Sequence, residues 1–185
     1  MIRVVVPYTK EVIDSIIYEY QEFFYPLQFA FIFLAFLMLY FIWKNQSHKI
    51  IVSILAFFWI WIGAIYEIKY YFSINWFGLY IGYFFILQAL LLLWFGMIKK
   101  ELIFVKNKIS LIIVSFLTFF YPIVQIFAGT HHYEISIIGM LPNITVAFTL
   151  IILFMNTQKN IKTLFIIPIV WSVFSLYWNY LILFN

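Results

Sequence analysis

A chain of 185 residues that is 66% hydrophobic and 10% charged is not a soluble domain, which would be about 45–50% apolar and about 25% charged. The absence of cysteine excludes disulfides, thiolate metal sites and a cysteine nucleophile. The formal net charge of +4 comes largely from lysines set in short segments between apolar runs, where they bear on topology, and no nucleic-acid partner is expected.

Several apolar runs approach the ~20 residues that cross a hydrocarbon core. A run such as IGYFFILQALLLLWFGMI does not alternate, so it does not suit a transmembrane barrel, whose strands are alternating segments of about 10 residues. The expected class is an all-α membrane protein: six transmembrane helices in the lipid bilayer, plus an N-terminal amphipathic interfacial helix. Residues 1–25 are read as the interfacial helix and 26–185 as the bundle, with an outer loop at 128–141.

The opening MIRVVVPY is followed by Lys10, Glu11 and Asp14, which is not the pattern of a cleavable signal. The first span is expected to serve as the insertion signal. Thr9 can cap a helix beginning at Lys10. Val12, Ile13, Ile16, Ile17 and Tyr20 recur at helical spacing. Glu11, Asp14, Ser15, Glu19 and Glu22 fall largely on the opposite face. Such a helix lies in the interface plane as a collar on the bundle, or serves to dock a partner.

The spans are expected at 26–43, 50–72, 76–98, 109–127, 141–155 and 163–184. Three basic segments separate them in alternation: KNQSHK at 44–49, KKELIFVKNK at 99–108 and NTQKNIK at 156–162. They hold Lys44, Lys49, Lys99, Lys100, Lys106, Lys108, Lys159 and Lys162, eight of the eleven basic residues, and six spans put all three on one side. Lysine and arginine are retained on the cytoplasmic side. The reading is therefore a multi-pass protein of the cytoplasmic membrane with both termini outside. The outer side would also carry Glu11, Asp14, Glu19, Glu22, Glu67 and Glu134, six of the seven acidic residues. Tyr25, Tyr40, Trp43, Tyr70, Tyr71, Trp76 and Trp94 fall near span ends, as an aromatic belt requires.

Polar groups inside a bilayer are expensive and are functional candidates by default. Gln28, Glu67, Gln88, Gln125, Asn143, Thr145, Thr149 and Asn179 are the main ones. By position along the spans, all but Gln88 and Thr149 lie in the outer half, so Gln28, Glu67, Gln125, Asn143 and Asn179 are candidate ligand contacts in a polar pocket open to the outside. Glu67 is the most informative of them. Its nearest charged neighbour, Lys69, points from a different helix face and can snorkel outward, which leaves the shorter Glu67 in need of a partner.

The longest break between apolar runs is GTHHYEISIIGMLPNIT, from Gly129 to Thr145. His131, His132 and Glu134 make a candidate site for a divalent metal, since imidazole with carboxylate suits zinc, iron or copper. A solvated surface His pair is the competing reading. There is no HExxH, no Gly-rich phosphate loop and no GxSxG. Pro142 fits the first turn of a helix whose exposed N–H groups could receive an anion or the Glu67 carboxylate. The fifth span is also the shortest, and short interrupted helices often mark transporter sites.

Three stretches carry a family resemblance. They are Tyr25-Pro26-Leu27-Gln28; Trp59-Ile60-Trp61-Ile62-Gly63 followed by Tyr66 and Asn75; and Gly129, His131 or His132, Tyr133, Gly139, Pro142 and Thr145. With them the chain resembles, over nearly its whole length, the bacterial membrane family called domain of unknown function six-zero-six-four. The resemblance implies six spans and the outer loop, and adds Tyr66 to the expected contacts. Glu67 stands where that pattern has a histidine, and Asn143-Ile144 where it has a Cys-Pro pair. The resemblance supplies no activity.

The leading expectation is a small transporter, channel or binding protein for a cation or small polar solute. The alternatives are a non-catalytic subunit of a larger membrane complex, paired with another membrane protein or with copies of itself, and a metal-dependent membrane enzyme. A transport path would need a pocket reaching the midplane near Gln88.

Overall fold

The computed structural model describes residues 10–158 and 160–184, with no side-chain detail for 181–184; Thr9 and Lys159 lie outside the described residues. The described residues are helical apart from loops and one isolated bridge between Phe104 and Asn156. The helices in chain order are α1 (Lys10–Phe23), α2 (Leu27–Trp43), α3 (His48–Ser73), α4 (Gly78–Ile98), α5 (Lys108–Phe127), α6 (Pro142–Phe154) and α7 (Thr163–Phe184).

Helix α1 is amphipathic as its spacing predicts. Ile16 and Tyr20 are buried while Glu11, Glu19 and Glu22 are exposed; Val12, expected on the apolar face, is 37% exposed. It stops before Pro26, which lacks an N–H and disfavours helical backbone at the residue before it. The chain then turns by 86° into α2. Helices α3, α4, α5 and α7 are long and apolar enough to cross a membrane. On its own α2 has 17 residues, and α6 has 13.

Helix α3 is the centre of the bundle. Of its most apolar window 61% is buried, against 11% for α5 and for α7, which turn apolar faces outward. Three of these helices widen into π-helical turns, at Ile62–Tyr70 in α3, Trp94–Ile98 in α4 and Phe116–Phe120 in α5. Helices α3 and α4 meet backbone to backbone at Gly63 and Gly82. A Cβ on Gly82 would lie 2.6 Å from the Gly63 carbonyl and 2.4 Å from Ile68. Small residues at such crossings let membrane helices pack closely. Gly82→Val should push α3 and α4 apart at a cost of about 1–3 kcal/mol. The expected result is a fall of several degrees in the unfolding midpoint of the purified protein. An unchanged midpoint would mean that the close approach contributes nothing to stability.

The ends of the bundle differ. At one end the three basic segments are knitted together by side chain–backbone bonds. The Lys106 N–H donates to Asn45 Oδ1 at 3.0 Å and the Phe104 N–H to His48 Nδ1 at 3.2 Å. The Ile103 N–H donates to Asn156 Oδ1 at 2.6 Å. Asn107 caps α5 by accepting from the Ser110 N–H at 3.1 Å. The opposite end carries α1, the turn after α3 and the loop between α5 and α6.

That loop is part of the core. Ile135, Ile137, Ile138, Met140 and Leu141 are all buried. Gln21 Nε2 donates to the Ile135 carbonyl at 2.9 Å, and the Tyr20 hydroxyl to the Met140 carbonyl at 3.2 Å, which fastens the loop to α1. Trp61 Nε1 donates in turn to the Tyr20 hydroxyl at 2.7 Å, tying both to α3. Gly139 has φ +83°, and its N–H donates to Thr145 Oγ1 at 2.7 Å, so the loop feeds directly into the first turns of α6.

Candidate functional site

A cavity of about 330 Å³ opens at the α1 end of the bundle. Four helices and one loop build it. Helix α3 gives Tyr66, Glu67 and Tyr71; the start of α6 gives Pro142, Asn143 and Ile144. Helix α7 gives Trp171, Phe174, Ser175, Trp178 and Asn179, and α1 closes the mouth with Lys10, Ile13, Asp14 and Ile17. Ser136 and Leu141 of the buried loop complete the lining.

Glu67 is the deep polar group. It is 1% exposed, and its Oε2 atom has no hydrogen-bond partner. Buried polar groups are otherwise paired almost without exception, and a carboxyl left unpaired is expensive. Glu67 sits within the π-helical stretch Ile62–Tyr70, and such widened turns recur at functional sites. Lys69 does not neutralise it. Its Nζ lies 5.3 Å from the Phe23 ring centroid and 5.6 Å from that of Tyr70, on another face of α3, as the two-residue offset predicts.

Asn143 anchors the opposite wall. Its Oδ1 accepts from Trp171 Nε1 at 3.0 Å and from Ser175 Oγ at 2.8 Å. Asn179 Nδ2 reaches Ser175 Oγ at 3.5 Å. The mouth is charged: Lys10 Nζ lies 3.9 Å from Asp14 Oδ2, with the two side chains 71% and 39% exposed. That is a surface pair, weak and easily exchanged for another partner. No side chain caps the first turn of α6, which borders the same space.

Of the expected contacts, Glu67, Tyr66, Asn143 and Asn179 meet here. Gln28 does not: its Nε2 donates to the Gln21 carbonyl at 2.8 Å, bridging the α1–α2 turn. Gln125 also stays outside the lining. It accepts from the Ser136 N–H at 2.8 Å and donates to Ser136 Oγ at 3.3 Å, so it holds the loop that forms one wall. Thr145 and Thr149 bond to backbone one turn back, and Thr149 Oγ1 also accepts from Trp59 Nε1 at 2.8 Å. Gln88 donates to the Leu164 carbonyl at 2.9 Å, and α4 contributes nothing to the lining, so the cavity does not reach that depth.

The loop histidines sit in tilted ring contacts with each other and with tyrosines. The His131 and His132 ring centroids are 4.2 Å apart, His132 lies 4.0 Å from Tyr133, and Tyr18 of α1 lies 5.1 Å from His131. Among the described residues no group of three or more His, Asp or Glu side chains could hold a metal ion, so His131, His132 and Glu134 do not form the expected divalent-metal set.

Sequence reasoning missed Trp171 and Ser175, although the signal was there: Trp171, Ser175 and Asn179 follow at i, i+4 and i+8, one polar stripe on an apolar helix. It also assigned Asp14 only to a solvated face, because the return of α1 over the cavity is a tertiary event.

Residues 10–183 match the family model described as "Family of unknown function (DUF6064)", and the chain belongs to that family. No curated protein matches the chain. No solved structure matches it either.

Proposed function

We propose that this member of the DUF6064 family is a multi-pass protein of the cytoplasmic membrane that binds a cation or small polar solute in the α1-end cavity. In this reading the chain crosses six times. The short α6 serves as a span with its loop folded in ahead of it, α1 lies in the interface, and both termini are outside. The knitting of the three basic segments at one end supports that orientation, since basic loops stay on the cytoplasmic side.

The single observation that carries the binding role is that Glu67, whose buried Oε2 has no hydrogen-bond partner, lines a cavity large enough for a small molecule. A carboxyl kept in the bilayer without a partner of its own is held for a ligand. Binding is favoured over conduction, because Gln88 is engaged with backbone and lies outside the lining.

The test is a thermal-shift panel on the protein in lipid nanodiscs, with sodium, potassium, calcium, small amines and small neutral polyols. At least one probe should raise the unfolding midpoint. Its effect should vanish in Glu67→Gln and persist in His132→Ala. A panel with no active probe, or one whose active probe ignores Glu67→Gln, overturns the reading.

A further inference from the structure

We propose that the group the cavity receives is an organic ammonium ion, a protonated or quaternary amine on a small molecule or on a lipid headgroup; this rests on the reading of the cavity as a binding site. The walls and the charges point the same way. Tyr66, Tyr71, Trp171, Phe174 and Trp178 all border the space, so an occupant meets five aromatic side chains. Aromatic faces attract cations, and quaternary ammonium recognition is built on cages of such rings. A carboxyl stands ready at each end of the space, and an entering cation favours its ionised form. Glu67 sits at depth with Oε2 unpartnered, and Asp14 stands at the mouth in a surface pair that a competing cation can replace.

The other ligand classes fit less well. Calcium takes six to eight oxygen ligands and magnesium a near-octahedral set, whereas no three-residue ligand group exists among the described residues. One bare ion would also leave most of about 330 Å³ unfilled. An anion would have to face Glu67 and Asp14, with Lys10 the one basic side chain in the lining among the described residues and that one paired to Asp14. A neutral solute would make no use of the Asp14 carboxylate at the mouth or of the attraction of the ring faces for a cation. An ammonium group satisfies the carboxyl by charge and the rings by cation–π contact, and its hydrocarbon substituents fill the apolar remainder.

The experiment uses the full chain in nanodiscs made either of phosphatidylglycerol alone or with phosphatidylethanolamine added. The probes are choline, ethanolamine, acetate, sodium chloride and calcium chloride. Binding is read by calorimetry and by the unfolding midpoint. In phosphatidylglycerol discs choline and ethanolamine should bind and raise the midpoint while acetate does not. Glu67→Gln should weaken choline by about tenfold or more. Phe174→Leu, which keeps bulk but removes one ring, should weaken it by a few-fold, within the range of one cation–π contact.

The two sources separate in the second disc. A free amine gives the same shift in both discs. A headgroup occupant raises the midpoint of the ethanolamine-lipid discs before any probe is added, and choline then competes with it. If sodium or calcium shifts the midpoint through Glu67 and the amines do not, the ammonium assignment falls while the binding site stands. If no probe acts, or choline binds equally well to Glu67→Gln, the site itself falls.

Discussion

Gly139→Ala should leave little folded protein at growth temperature, whereas Gly129→Ala should fold with a smaller loss of stability. The two glycines share a left-handed backbone, φ +83° and +85°, so both pay the same conformational penalty of about 1–2 kcal/mol for a side chain. They differ in what a Cβ would meet. At Gly129 nothing lies within 4 Å. At Gly139 the Cβ would sit 2.5 Å from Phe31 and 2.6 Å from Phe58. Both rings are buried, at 1% and 0% exposure, so room for the added methyl comes only from shifting the core packed around them. Overpacking of that kind costs a further ~1–3 kcal/mol. The sum is a large share of the roughly 5–15 kcal/mol that holds a domain together.

The readout is the monodisperse yield and unfolding midpoint of each variant in the same detergent. The Gly139 variant should fall several degrees below the Gly129 variant. Leu141 and Pro142, two and three residues after Gly139, line the cavity, so any surviving Gly139→Ala protein should also bind its ligand more weakly. Equal midpoints for the two alanines would mean that the loop is not packed on Phe31 and Phe58 as described.

Much of this architecture can be read from the sequence because a bilayer leaves the chain few choices. The helices at His48–Ser73, Gly78–Ile98 and Lys108–Phe127 lie within two residues of runs visible as unbroken apolar stretches. What the runs cannot show is depth of burial. Ile135, Ile137, Ile138 and Met140 are apolar residues in a segment with no period, and His131 and His132 drew attention to the solvated half of the loop. The buried half is the part that shapes the cavity. Periodicity also failed locally in α3. A π-helical turn shifts every following side chain relative to a 3.6-residue repeat, so Glu67 cannot be assigned a neighbour by counting. Gln28 and Gln125 were indistinguishable in sequence from Asn143 and Asn179, since all four are amides in apolar helices. Only the fold decides that the first pair bonds to the loop and the α1–α2 turn while the second pair faces the cavity.

Glu67→Leu should make the unliganded protein more stable and abolish binding. The Glu67 carboxyl is 1% exposed with Oε2 unpartnered, and an unsatisfied buried polar group costs about 1–3 kcal/mol. Leucine has similar bulk, borders open space and has no polar atom to satisfy, so the substitution removes that penalty without overpacking. The unfolding midpoint should rise by a few degrees for each kcal/mol recovered, roughly 2–4 °C at this chain length. Glu67→Gln keeps an unsatisfied polar group and should gain less.

Ligand addition should invert the order. A ligand that binds only the native state stabilises in proportion to the logarithm of its saturation, so wild type should overtake Glu67→Leu as the probe concentration rises, and the crossing point reports the affinity. A residue retained for function at the expense of stability behaves in this way. A residue retained to hold the π-helical stretch of α3 does the reverse: Glu67→Leu would then melt below wild type at every probe concentration, and Glu67 would be a structural group of the bundle.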